Sequence, residues 1–332
     1  MLMLSPTADL LDLQDGVIAR RQVLDVPGES DAAIRRRLRR RDWVTVLPGI
    51  YLNHTGPPTW RQRAWAAVLY AHPAALANVS AIRAADGPGK RVAPDDRPIH
   101  VAIDHRRTVE DQPGLVIHRS VHFAATVQGN LSPPRVRIEH AVIDAAADAS
   151  SELAAIAILS DAVRSRRTTA ARLLQEARAR RRLRSRELIL GVLSDAATGT
   201  TSVLEVEYLR RVERAHRLPT ARRQVRDATS GVVYRDAEHE EFDLIIELDG
   251  RIGHSTTSER DADFERDLDA AVTDLDTLRL GWGQARVRPC QTAIKLALVF
   301  QRRGWRGEVQ PCPDCPTEAV EKSSPGDQKS TA

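Results

Sequence analysis

The stretch that most limits how this chain can fold runs from residue 232 to residue 255 and reads VVYRDAEHEEFDLIIELDGRIGHS, a strand pattern interrupted by carboxylates. Side chains alternate faces along a strand, so Leu244, Ile246 and Leu248 share one side while Asp243, Ile245, Glu247 and Asp249 share the other. The first face belongs to a core and the second is acidic. Folding at EEFD, residues 240 to 243, makes a hairpin that sets Asp236 opposite Glu247 and Tyr234 opposite Asp249. Like charges facing each other across strands cost about 0.2–1 kcal/mol, and more as they are desolvated. Two compensators fit such a pair. One is an ion-pair network drawn from Arg222, Arg223 or Arg235; the other is a hard divalent cation, which takes carboxylate oxygens at ~2–2.5 Å. An acidic edge strand open to solvent needs neither, and periodicity alone does not choose among the three.

The rest of the chain separates into regions by pattern. Residues 7 to 53 carry three short helical stretches, TADLLDLQDGVIA, RRQVLDV and SDAAIRRRLRRRDW, the last opening on a Ser30 cap; two β segments follow, broken at Pro48-Gly49. Helix, helix, arginine-studded helix and a β wing predict a winged helix-turn-helix over residues 1–56. In the third helix Ala33, Ile34 and Leu38 form the apolar stripe, which leaves Arg35, Arg36, Arg39 and Arg40 on the outer faces. Arginines so placed suit phosphates and guanine edges, although a basic face is also simply well solvated.

Residues 57–198 read as an α/β middle region: an amphipathic helix at PPTWRQRAWAAVLYAHP, strands at PIHVAIDH and GLVIHRS, a helix from RIEHAVIDAAAD, and an arginine-rich helical segment. Its histidines at 100, 105, 118, 122 and 140 match no metal-ligand spacing and are expected on exposed strand faces. Arg178, Arg180, Arg181, Arg182, Arg184 and Arg186 are too dense to be buried, and serve either as a solvated linker or as a second phosphate-contacting surface. Residues 199–307 follow as helix, three strands, acidic-basic helix, strand and helix, an α/β sandwich with the acidic hairpin at its centre. Residues 308–332 are polar and aperiodic, and predict a disordered tail.

Composition narrows the class. With 332 residues, 42% of them hydrophobic and 28% charged, the chain has the makings of several soluble cores. Lysine occurs only at 90, 295, 322 and 329, so the net charge of +4 is built almost wholly from arginine, whose fork fits phosphate bidentately. No apolar run is long enough to span a bilayer and the N-terminus lacks a signal-peptide pattern, which predicts a cytoplasmic protein without a membrane partner. Three cysteines suit a reducing compartment. Cys312 and Cys315 form a C-x-x-C that would begin a zinc site, with Cys290 as a third ligand, but a polar tail predicts that serine at 312 and 315 leaves the fold intact.

Motifs across the C-terminal region, namely S-x-x-E at 202 to 205, YRD at 234 to 236, ELDGRIGH at 247 to 254, ERD at 265 to 267, LRLGW at 278 to 282 and RRGW at 302 to 305, resemble a bacterial family of nuclease-like domains. That family is similar to the very-short-patch-repair endonucleases and has the restriction-endonuclease-like PD-(D/E)xK fold. The N-terminal run from VIARRQVL to LPGIYLNHTGPPTW resembles the winged-helix domain of AbiEi-type antitoxins. The resemblance implies a multidomain α/β protein that binds DNA and hydrolyses its phosphodiester bonds with Mg²⁺ or Mn²⁺ held by Asp236 and Glu247. Glu205 and His254 complete the implied catalytic set, and Asp249, which shares the Glu247 face of the strand, is a further candidate to hold a water or a second ion. Asp249 stands where the nuclease pattern has lysine. The same resemblance implies an alternative: an antitoxin-like regulator with an inactive nuclease fold, paired with a toxin or with a second copy of itself.

Overall fold

The structure is a computed structural model, and it describes residues 6–86, 97–198, 202–222, 225–227, 233–235, 237–250, 261, 264–265, 268 and 277–315. These residues form mixed α/β units with several small sheets. The chain divides into two compact units, residues 1–145 and 146–332, at a boundary inside the segment that pattern assigned to one middle region.

The first unit opens with α1 (Pro6–Leu13), β1 (Val17–Ala19), α2 (Arg20–Leu24), α3 (Asp31–Arg40), β2 (Val44–Leu47) and β3 (Ile50–Leu52). β1, β3 and β2 make an antiparallel sheet in that order. The expected first helix thus stops early, and VIA is a strand. Asp15 and Gly16, at φ 54° and 84°, turn the chain out of the helix, and the two β-branched residues Val17 and Ile18 are fully buried against the sheet.

α4 (Trp60–Tyr70) then runs between two sheets, capped by Thr59, whose side chain accepts from the Gln62 N–H while Gln62 returns to the Thr59 N–H. Trp65, Ala66 and Leu69 pack on β1 and β3, whereas Ala64, Ala67 and Val68 join the core of the second sheet. That double burial is why Ala64 to Leu69 are buried without a break and α4 is not amphipathic. The regions expected as separate at residue 56 share this core. The second sheet contains β4 (Ala75–Leu76), β5 (Ile99–Asp104), β6 (Leu115–Ser120), β7 (Val127–Gln128) and β8 (Arg135–Val136), ordered β6-β5-β4-β8-β7. α5 (Asn78–Asp86) and the short α6 (Phe123–Thr126) connect its strands, and α7 (Ile138–Ala147) follows β8. His100 and His118 meet across β5 and β6, with Nδ1 and Nε2 2.9 Å apart, while His140 is buried rather than exposed.

The second unit begins with helices α8 (Glu152–Arg164), α9 (Ala170–Ala179) and α10 (Arg186–Thr198). Buried Asp195 of α10 accepts from the Val203 and Leu204 N–H groups, capping α11 (Ser202–Tyr208) from outside. A π-helical turn, Leu209–Arg214, prolongs α11. β9 (Val225–Asp227) and β10 (Val233–Arg235) form an antiparallel pair; β11 (Ala237–His239), β12 (Leu244–Leu248) and β13 (Thr277–Leu280) form a sheet, before α12 (Pro289–Arg302). β13 runs parallel to β12, so the chain must cross over between them, and Asp261, Phe264, Glu265 and Leu268 on that connection are helical. No helix among the described residues is long and apolar enough to cross a membrane.

Candidate nucleic-acid interface and acidic hairpin

α3 owes its position to neighbours at both ends. Ser30 accepts from the Ala33 N–H as N-cap, and Arg41 closes the helix in the left-handed conformation at φ 59°. Arg20 of α2 grips Asp31 bidentately at 2.8 and 2.6 Å, and Arg37 grips Glu29 at 2.8 and 2.6 Å. The Arg37 bonds hold the Glu29 carboxyl below its ordinary range against burial, which pushes it up. The Arg37 guanidinium also lies 4.7 Å from the Trp43 ring centre. Arg37 is therefore spent on the fold. Arg35, Arg36, Arg39 and Arg40 are all exposed, as the helical spacing predicts, and none is in an ion pair among the described residues.

Of the arginine-rich segment, only its ends are helical. α9 stops at Ala179 and α10 starts at Arg186. Arg180 bonds Glu176 at 3.0 Å and Arg186 donates to the Arg180 carbonyl at 2.6 Å, while Arg178, Arg181, Arg182 and Arg184 are exposed.

The hairpin register agrees with the fold-back at 240 to 243. Ala237 pairs with Ile246, Glu238 with Ile245 and His239 with Leu244. Glu240–Phe242 form a single 3₁₀ turn, and Asp243 takes φ 47° to bring the chain back. Leu244, Ile246 and Leu248 are buried, and Glu247 stands on the other, partly exposed face. Two of the implied catalytic residues, Asp236 and His254, lie outside the described residues. Glu247 accepts from Arg279 Nε at 3.0 Å, across the parallel register of β12 and β13. Its cation therefore comes from the neighbouring strand. Arg222, one of the arginines expected there, pairs with Glu240 instead. Asp249 continues the β12–β13 pairing, its N–H donating to the Leu280 carbonyl at 2.8 Å. Glu205 sits in the first turn of α11. Among the described residues Glu247, Asp249 and Glu205 do not by themselves converge on one centre.

Among the described residues the only group of three or more His, Cys, Asp and Glu side chains close enough to share a metal ion is His216, Cys290, Cys312 and Cys315. Their convergence corrects the expectation of a loose tail from residue 308. Residues 308–315 return to the second unit, where the Gln310 N–H donates to the His216 carbonyl at 3.0 Å. Burial, with the other two thiols beside it, pushes the Cys290 thiol up to about 12. Burial likewise holds the His216 imidazole below its usual range. The cysteines were visible in the sequence. His216 was not singled out, because it sits in an ordinary helical run, ERAHRL, 74 residues before the nearest cysteine.

No protein-family model matches this chain, and no curated protein matches it.

Proposed function

We propose that this chain binds DNA through α3 and that its second unit carries an endonuclease-like site. The observation that supports the first part most directly is the division of labour on α3. Arg37 is consumed by Glu29 and Trp43, while Arg35 and Arg36 and, one helical turn on, Arg39 and Arg40 stay exposed with no ion pair among the described residues. In this reading α1, α2, α3 and the β2–β3 hairpin are a winged helix-turn-helix, with α3 set against the major groove and the hairpin beside the backbone. Arginine then supplies phosphate contacts and guanine recognition.

For the second part, the antiparallel β11–β12 hairpin with parallel β13, flanked by α11 and α12, is consistent with a PD-(D/E)xK core. Carboxylate oxygens suit a hard cation, and Glu247 is one such donor, half exposed on the sheet. Glu247 and Asp236 would hold Mg²⁺ or Mn²⁺, which supplies charge neutralisation at a scissile phosphate when bound. Asp249 and Glu205 would orient water, and His254 would move the proton. Arg279, now on Glu247, would turn toward phosphate oxygen. The same ion pair favours a second reading, a regulator with a toxin partner or a second copy, whose nuclease fold serves as scaffold. Plasmid cleavage by the full chain with Mg²⁺, run beside Glu247→Ala, separates the two. Mg²⁺-dependent nicking lost in the variant supports the endonuclease, and sequence-specific binding without nicking supports the regulator.

A further inference from the structure

All three cysteines of the chain meet at one place, brought there from the start of α12 and from the C-terminal residues, and they meet at a histidine with no exposed surface. Cys290 Sγ lies 3.6 Å from Cys312 Sγ, Cys312 Sγ 3.8 Å from Cys315 Sγ, and Cys315 Sγ 3.5 Å from His216 Nε2. All four ligand atoms fall within 4.8 Å of one another. These separations are too long for a disulfide, whose sulfurs bond at ~2.05 Å. They are the edges of a tetrahedron of another kind. Bonds of ~2.3 Å to sulfur and ~2.0–2.1 Å to nitrogen give edges of about 3.8 Å between two sulfurs and about 3.5–3.6 Å between sulfur and nitrogen.

We propose that His216, Cys290, Cys312 and Cys315 are the four ligands of a structural zinc site. The surroundings are arranged for it. His216 Nδ1 lies 3.0 Å from the Val212 carbonyl, which only accepts, so the proton sits on Nδ1 and Nε2 presents its lone pair to the sulfurs. That bond comes from the π-helical turn that ends at Arg214. The Cys312 N–H points at Cys315 Sγ at 3.4 Å, and the Cys315 N–H donates to the Cys312 carbonyl at 3.0 Å, a turn that holds both thiols on one side. A soft, thiolate-rich set selects zinc over the hard cations that carboxylates prefer. Binding converts three thiols to thiolates and releases their protons to solvent. Four ligands close the shell, so the ion ties residues 312–315 and the start of α12 to the turn that follows α11, and leaves no position for substrate.

The test uses the full chain purified without chelator. Metal analysis is expected to find stoichiometric zinc, and exchange with Co²⁺ is expected to give the intense visible bands of a tetrahedral thiolate site. Cys315→Ser, at a partly exposed position, is expected to lose both while the chain still folds at low temperature, and chelator is expected to lower the wild-type melting temperature but not that of the variant. Metal-free protein that takes up neither Zn²⁺ nor Co²⁺, an octahedral Co²⁺ spectrum, or a disulfide between any two of the three cysteines in a peptide map would each overturn the site. So would full zinc content in Cys315→Ser.

Discussion

At the residue scale, charge pairs carry most of what is distinctive. Glu247 and Arg279 are 46% and 61% exposed, and such pairs contribute about 0–1 kcal/mol, so the bond constrains geometry more than it stabilises. Glu247→Gln should therefore change the melting temperature little in the absence of metal. If Glu247 holds Mg²⁺, the ion should raise the melting temperature of the wild type and not of the variant, and thermal melts of both with and without Mg²⁺ read this directly. A marked loss of stability in Glu247→Gln, with no response of either protein to Mg²⁺, would assign the carboxylate to an ion pair alone. Glu265 poses the opposite case. Burial would raise its carboxyl, but Lys295, Arg288 and Gln284 outweigh that and hold it below the ordinary range. A carboxyl depressed by folding stabilises above its unfolded value, and that contribution disappears as pH falls through the folded value. The stability deficit of Glu265→Gln should thus be full at neutral pH and shrink as pH drops below the normal carboxylate range. Denaturant melts across that window check it; a deficit independent of pH would contradict it.

At the scale of elements, α3 was legible because local and tertiary signals agree. Ser30 caps it, Ala33 and Ile34 are buried, and the arginines fall where helical spacing leaves them. β12 was legible for the same reason, its buried residues alternating and its hairpin register following from the turn at 240 to 243. β1 was not, since three residues after a helix show no periodicity, and only burial against β3 makes them a strand. α4 was legible as a helix but not as to its faces: it was read as amphipathic, and packing between two sheets leaves Ala64 to Leu69 buried all round. The cap makes a quantitative expectation possible. Ser30→Ala should cost about 1 kcal/mol by removing the one acceptor for the Ala33 N–H, and Ser30→Asp should restore it, as urea melts would show. Equal stability in all three would mean that the Arg20–Asp31 and Arg37–Glu29 pairs alone hold α3.

At the scale of the molecule, the sequence pattern placed boundaries at residues 56/57 and 198/199, whereas the chain divides at 145/146. The helices from residue 152 onward belong with the second unit. Arg286, for instance, bonds Glu152 at 3.2 Å and Glu207 at 2.9 Å, a link across 134 residues that no local pattern reveals. The zinc ligands were hidden for a similar reason: a C-x-x-C is visible, but which histidine closes it depends on the fold. DNA binding by the first unit is the claim on which the functional account turns, and its electrostatic part is measurable in the intact chain. Each phosphate neutralised contributes about −0.9 to the slope of log affinity against log salt. Fluorescence anisotropy of full-length chain on duplex DNA, across a salt series, should give a steep slope for the wild type. The Arg35, Arg36, Arg39 and Arg40 to alanine variant should flatten it by up to about 0.9 for each arginine lost. A slope unchanged in that variant would contradict the assignment of α3 and move the contact elsewhere, with the exposed arginines between α9 and α10 the next to test.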